Sequence, residues 1–230
     1  MNYRRHAARI FGVLILAVFS LAAFTAGAHA EKPEWLILNP PPQELFTLEE
    51  LSGKETITGS QEGLGRLLIL KLNLLLKCED IKVINTHLLP AGVALGEVLF
   101  DDCYATDLTL AKAKCEFIHF VAQFKASIIE HNGASYVLFV PQDGLTFATV
   151  ATTGGECPFP EEAELKGSFV AKVTNEGTHA VEKLLSTKSL LELFPSDALK
   201  YGTHTSHLEA DASVGLSGTH VERPWGFHGP

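Results

Sequence analysis

The sequence predicts an all-β protein, an antiparallel sandwich or barrel of roughly ten strands with at most one short helix. Short segments with alternating or β-branched apolar residues recur along the chain, and turn residues separate them. No helical patterns alternate with these segments, so the crossover helices of a parallel α/β fold are missing. The apolar fraction of 46% is ample for a packed core.

The N-terminus has the order of a secretory signal peptide. Arg4, Arg5 and Arg9 precede an apolar run, Ile10 to Ala23, and Ala28-His29-Ala30 supplies small residues for cleavage after Ala30. The run is shorter than the ~20 residues of a membrane span, which disfavours a transmembrane anchor. We therefore expect a secreted or periplasmic (cell-envelope) protein without a membrane span in its mature chain.

The mature chain, 31–230, is predicted to form a single all-β domain with its core at 53–223 and irregular ends. Removing residues 1–30 takes away three of the 18 basic residues and none of the 27 acidic ones, which leaves a formal net charge of −12. An acidic surface without a basic cluster repels phosphate backbones, so no nucleic-acid partner is expected.

The first strong strand pattern runs from Arg66 to Cys78. From Leu68 onward one parity is apolar, whereas Lys71, Asn73 and Lys77 occupy the other. The apolar parity consists of Leu68, Leu70, Leu72, Leu74, Leu76 and Cys78. This period of two predicts one continuous strand with a buried face. Short strands are also expected at 35–38 and 55–58, before it, and at 81–85, after it.

The next elements are a strand at Val93 to Phe100, buried on both faces, and a longer strand from Cys115 to Glu130. His131-Asn132-Gly133 predicts a tight hairpin into Ser135 to Val140. A second turn at 141–144 then leads into 145–150, so three antiparallel strands would form a meander.

The last part of the chain has one clear strand and one ambiguous segment. A strand is expected at 165–173. Residues from Ala180 to Leu199 could line a helix that Pro195 would stop. His207 to Leu216 alternates strictly, which predicts a strand whose leucines, alanines and valine face inward.

Four cysteines in an exported chain predict two disulfides among Cys78, Cys103, Cys115 and Cys157. Three connectivities are possible. The short separation of Cys103 and Cys115 favours that pair, with Cys78 bonded to Cys157.

No reactive motif accompanies this framework. The chain lacks a G-x-S-x-G nucleophile elbow, a P-loop, a dinucleotide fingerprint and an EF-hand loop, and no cofactor is predicted. His204, His207 and His220 are weak metal candidates, because residues three apart in a strand point to opposite faces.

The order of the structural motifs resembles that of a group of uncharacterised secreted bacterial β-rich proteins. The motifs are Trp35, Cys78, Val98-Leu99-Phe100-Asp101-Asp102-Cys103, Cys115, Tyr136-Val137-Leu138-Phe139, Gly155-Glu156-Cys157-Pro158, Ser217-Gly218 and Trp225-Gly226. The resemblance implies an exported β-rich fold and carries no known activity.

These observations favour a non-catalytic role in binding or in the structure of the cell envelope. One alternative is a carrier that holds a small apolar ligand inside a barrel, since the leucine-rich faces permit an apolar interior. The other is a metal-dependent hydrolase that uses His204, His207 and His220. The partner stays unknown at this point.

Overall fold

A computed structural model describes residues 33–39, 44–47, 53–61, 65–69, 71–107, 112–153, 157, 159–173, 183–186, 194, 199–221 and 223–228. The predicted signal peptide lies outside these residues and stays a prediction. The described residues form strands and no helix, which confirms the predicted all-β class. No helix in this part of the chain therefore has the length and apolarity to cross a membrane.

The strands are β1 (Glu34–Asn39), β2 (Glu44–Thr47), β3 (Glu55–Gln61), β4 (Gly65–Ile69), β5 (Leu74–Leu89), β6 (Val93–Asp107), β7 (Lys112–Phe117), β8 (Phe120–His131), β9 (Ala134–Pro141), β10 (Thr146–Thr153), β11 (Glu162–Lys166), β12 (Phe169–Val173), β13 (Lys183–Ser186), β14 (Lys200–Tyr201), β15 (His204–Leu216) and β16 (Trp225–His228).

Thirteen of these strands, β3 to β15, form a closed antiparallel ring. Two successive short strands often share one position in the ring, as β3 and β4 do beside β5, and β7 and β8 beside β6. The ring order is then β3/β4, β5, β6, β7/β8, β9/β10, β11/β12, β13/β14 and β15. Because β15 pairs back with β3 and β4, the domain is an up-and-down barrel with eight positions.

A small sheet in the order β16-β1-β2 covers one end of the barrel, here called the cap end. The turns at 90–92 and 132–133 lie at this end. The indole Nε1 of Trp35 donates a hydrogen bond to the carbonyl oxygen of Val93 at 2.7 Å. The Trp35 ring also lies 5.9 Å from the Trp225 ring and 6.1 Å from the Phe227 ring, so the cap is joined to the barrel through aromatic packing.

The opposite end, here called the far end, is closed by the segment that follows β10. The disulfide between Cys115 and Cys157 holds this segment to β7. Phe159 is buried there, with its ring centroid 5.1 Å from that of Phe117 and 5.5 Å from that of Tyr201. A packed aromatic cluster therefore fills the far end.

The segment from Arg66 to Cys78 is a hairpin, so the prediction of one continuous strand was wrong. β4 ends at Ile69, residues 71–73 turn, and Ile69 pairs with Leu74 at the start of β5. Asn73 takes a positive φ of 52°, which asparagine tolerates better than most residues. Leucines continue through the turn, so the alternation of apolar residues does not show where the chain reverses.

The hairpin at Asn132-Gly133 is confirmed, whereas the three-strand meander was wrong. Asn132 and Gly133 have φ angles of 54° and 74°, as a two-residue hairpin turn requires, and β8 pairs with β9. β10 pairs with β7 and β11 and has no ladder with β9. After the turn at 142–145 the chain continues along the barrel instead of returning.

Two other boundaries differ from the expectation. β6 continues past Cys103 to Asp107, and β5 includes the short strand predicted at 81–85. Within the ambiguous segment 180–199, Lys183–Ser186 form β13 between β12 and β15, so this part is a strand. The remainder of that segment, apart from Phe194 and Leu199, lies outside the described residues.

The two disulfides are present, but the favoured pairing was wrong. Cys78 is bonded to Cys103, and Cys115 to Cys157. The register explains the choice: Cys78 lies directly opposite Cys103 on neighbouring strands. On the other side of β6, Tyr104 pairs with Glu116, which offsets Cys103 from Cys115 by two residues. Two disulfides indicate an oxidising extracellular or periplasmic environment.

Candidate functional site: an apolar cavity inside the barrel

Small side chains on the inner face of the barrel leave space along its axis. An eight-stranded barrel is just wide enough for side chains to fill or for one small ligand to enter. Alanines face inward from β6, β8, β12 and β15, where larger residues would fill the interior. These alanines are Ala94, Ala122, Ala126, Ala171, Ala210 and Ala212, and all six line the cavity.

The cavity has a volume of about 140 Å³ and a wall that is almost entirely apolar. Phe100, Phe124 and Phe139 form part of its side wall, while Trp35 and Trp225 close it toward the cap. The register places Ala94 opposite Ala126 and Val98 opposite Ala122. The neighbouring strands β6 and β8 therefore bound the cavity on one side, and the strands across the barrel bound it on the other. A wall of this kind is suited to an apolar molecule, because it buries the apolar surface of that molecule and matches its shape.

Four lining residues carry polar side-chain atoms, and one of them, Arg66, is ion-paired with Glu209. The hydroxyl of Thr86 donates to the carbonyl oxygen of Ile84 at 2.9 Å, and Trp35 Nε1 donates to Val93 as described. Trp225 is also buried, yet its indole Nε1 has no hydrogen-bond partner among the described residues. Its Nε1 is enclosed, so this donor is not accessible from the cavity.

A hydrogen bond between Glu55 and His220 joins the rim of the barrel to the segment that carries Trp225. Glu55, at the start of β3, is only 4% exposed. Its Oε1 lies 2.5 Å from Nδ1 of His220, which follows β15 and precedes β16. The backbone N–H of Ser217 also donates to the carbonyl oxygen of Thr56 at 2.8 Å. These contacts hold the cap segment in place over the cavity.

Tyr201 is a second unusual buried group, but it belongs to the far end. Its side chain is completely buried, and its hydroxyl has no partner among the described residues. Burial raises the pKa of the Tyr201 phenol to about 12, because the phenolate would lose its hydration. Tyr201 does not line the cavity, so this shift concerns stability more than binding.

The three candidate metal ligands are not brought together. His204 lies at the far end, opposite Tyr201, and His207 pairs with Leu68 further along β15. His220 lies beyond the other end of β15 and is bonded to Glu55 at the cap end. In the part of the chain that the structure describes, no group of three or more His, Cys, Asp or Glu side chains is arranged to hold a metal ion.

The inward face of β15 was predicted correctly, whereas an apolar barrel interior was predicted only as an alternative, from leucine-rich faces and not from the alanines that line it. Leu208, Ala210 and Ala212 line the cavity, and Val214 and Leu216 are buried on the same face. The signal that could have located the cavity is the repetition of alanine on one face of a strand, as at Ala122 and Ala126 in β8 and at Ala210 and Ala212 in β15. The sequence around Trp225 does not indicate that this residue lines the cavity, because its position depends on the pairing of β16 with β1 in the cap.

Comparison with protein-family models, with curated proteins and with solved structures gives no match. The geometry of the barrel interior is therefore the basis for inferring the function.

Proposed function

We propose that this protein is an exported binding protein that carries a small apolar molecule inside its barrel, without catalysis. The apolar cavity of about 140 Å³ is the observation that carries the proposal. An engineered protein cavity of ~150 Å³ with a comparable lining stays dry and binds benzene. The cavity therefore suits a ligand of about one six-membered ring or a short alkyl chain.

The arrangement of the ends supports a carrier more than a simple packing defect. The cap with Trp35 and Trp225 covers one end, and the cluster around Phe159 covers the other. The alanines come from four different strands and converge on one space. A ligand enclosed in this way would be shielded from water during transit. The predicted signal peptide and the two disulfides support export to an oxidising compartment.

Native mass spectrometry of protein purified from its own host tests the proposal. We expect a bound mass that is lost on denaturation. Filling the cavity with Ala122→Leu and Ala126→Leu should abolish that mass, because both side chains line the space. Gln123→Leu serves as the matched control, since it places the same side chain on the exposed face of β8. A consistently ligand-free mass, or a bound mass that survives cavity filling, would contradict the proposal.

A further inference from the structure

We infer that the cap is the gate through which a ligand enters and leaves the cavity, and that the hydrogen bond between Glu55 and His220 keeps this gate closed. This inference rests on the proposed carrier function and adds the route of ligand exchange. Trp35 in β1 and Trp225 in β16 both line the cavity, so the cap forms part of the cavity wall. Movement of the cap away from the barrel would therefore open the cavity to solvent.

The far end of the barrel is closed more firmly than the cap end. At the far end a disulfide between Cys115 and Cys157 joins the closing segment to β7, and the Phe159 ring packs against two further aromatic rings. Within the described residues, by contrast, β16, β1 and β2 pair only with one another, and no strand ladder joins this sheet to the barrel. The cap can therefore separate from the barrel without breaking a disulfide or a ladder of backbone hydrogen bonds.

Two side-chain hydrogen bonds attach the cap and its connecting segment to the barrel. The first holds β1, where Trp35 Nε1 donates to the carbonyl oxygen of Val93. The second holds the segment that leads into β16, where His220 Nδ1 meets Glu55 Oε1. Trp35 lines the cavity, whereas neither Glu55 nor His220 does. The second contact can therefore be removed without changing the cavity wall.

The contact between Glu55 and His220 is buried well enough to control the opening of the cap. Glu55 is 4% exposed, and the side chain of His220 is 13% exposed. A Cβ atom added to Gly218 would lie 2.9 Å from Glu55 Oε2, so the connecting segment also packs directly over this carboxyl group. A hydrogen bond shielded from water is stronger than one at the surface, and breaking it leaves buried groups without partners. The strength of this contact therefore limits how often the cap opens.

The exchange of benzene tests the gate, because a cavity of similar size in another protein binds this molecule. NMR exchange measurements on the purified protein, at equilibrium with benzene, give the association and dissociation rate constants. We expect His220→Ala to raise both rate constants by about fivefold, the effect of one net hydrogen bond on the opening equilibrium. The dissociation constant should stay the same, because His220 does not line the cavity.

Glu55→Gln keeps the test decisive if His220→Ala does not fold. This substitution retains the shape of the side chain and leaves no buried carboxylate without a partner. It should raise both rate constants in the same direction as His220→Ala, by a smaller factor, because the glutamine amide is a weaker partner for the imidazole than a carboxylate is.

Two control variants test the other routes out of the cavity. Phe159→Leu loosens the far end, and Glu209→Gln removes the ion-pair partner of Arg66 on the side wall. Neither should change the rate constants. Unchanged rate constants in both cap variants, or an equal acceleration in either control, would overturn the inference while leaving the carrier function intact. A changed dissociation constant without faster exchange would also overturn it. Failure of benzene to bind the wild-type chain would instead contradict the carrier function, and the gate with it.

Discussion

Tyr201 is the largest of the completely buried side chains in the described residues, and its burial has an energetic cost. The ring packs edge-on against Phe159, but the hydroxyl has no partner among the described residues. A buried hydroxyl without a hydrogen bond costs about 1–3 kcal/mol. The ring therefore stabilises the far end, while its oxygen opposes that stabilisation.

Alkaline pH should lower the free energy of unfolding through the buried Tyr201 phenol. Tyrosine in the unfolded chain titrates near ~10, whereas burial raises the pKa of Tyr201 to about 12. The folded state therefore holds the proton more tightly, so this contribution to stability is complete below pH ~10 and is lost as the pH rises to about 12. We expect a loss on the order of 2 kcal/mol in the free energy of unfolding, measured by urea titration across this range.

Tyr201→Phe removes the ionisable group and should flatten that alkaline loss. It should also raise the free energy of unfolding at pH 7 by about 1 kcal/mol, because an unpaired hydroxyl is no longer buried. Tyr136→Phe, on the outer face of β9 beside Phe194, is the matched control. An equal change in the alkaline loss from both substitutions would mean that Tyr201 is not the responsible group.

The β5–β6 pair shows how an irregularity in one strand is matched by a glycine in the next. The register shifts between Ile84 and His87, where Asn85 takes a positive φ of 46°. Thr86 is completely buried at this bulge. A Cβ atom added to Gly96 would lie 2.0 Å from Thr86 Oγ1 and 2.6 Å from Thr86 Cβ. Only glycine at 96 allows the bulge to pack.

Gly96→Ala should therefore lower the free energy of unfolding by about 1–3 kcal/mol through overpacking. Adding Thr86→Ala should recover part of the lost free energy, because it removes Thr86 Oγ1, the atom nearest to the new Cβ. Gly215→Ala is the control, since a Cβ there meets nothing within 4 Å, and we expect a change of less than ~0.5 kcal/mol. Chemical denaturation provides the measurement. Similar losses in Gly96→Ala and Gly215→Ala would show that the contact with Thr86 is unimportant.

Local sequence patterns predicted which face of a strand is buried better than they predicted which strands pair with each other. The strict alternation in β15 and the Asn132-Gly133 turn were sufficient to predict one strand and one hairpin correctly. The alternation from Arg66 to Cys78 was misleading, because parity does not show where the chain reverses. The disulfides depended on register across β5, β6 and β7, which is set by long-range pairing. The cavity depended on all eight positions of the ring at once.

At the scale of the molecule, the two disulfides differ in whether hydrogen bonding between strands already joins the parts that they connect. Cys78 and Cys103 connect neighbouring strands that are already paired. Cys115 and Cys157 fasten the segment with Phe159 to the far end. Their sequence separations, 25 and 42 residues, restrict the unfolded chain by similar amounts, since the closure entropy grows only slowly with loop length.

Replacing either pair of cysteines by alanine should lower the free energy of unfolding by about 3–4 kcal/mol, with a difference between the pairs of ~0.5 kcal/mol. Guanidinium unfolding of each double variant, compared with the oxidised wild type, gives these values. The two variants serve as controls for each other. A much larger loss for Cys115/Cys157 would show that the segment with Phe159 contributes packing energy that depends on its disulfide.

The ring is closed by a single pairing between distant parts of the chain. Every other junction joins positions that follow each other in sequence, whereas β15 must meet β3 and β4, as where Glu209 pairs with Arg66. While the chain is synthesised from its N-terminus, β3 and β4 keep an open edge until β15 has been made and can pair with them. An open edge is a template for strands of other molecules. Pairing of β15 with β3 and β4 thus closes the edge at which a newly made chain is open to pairing with its neighbours.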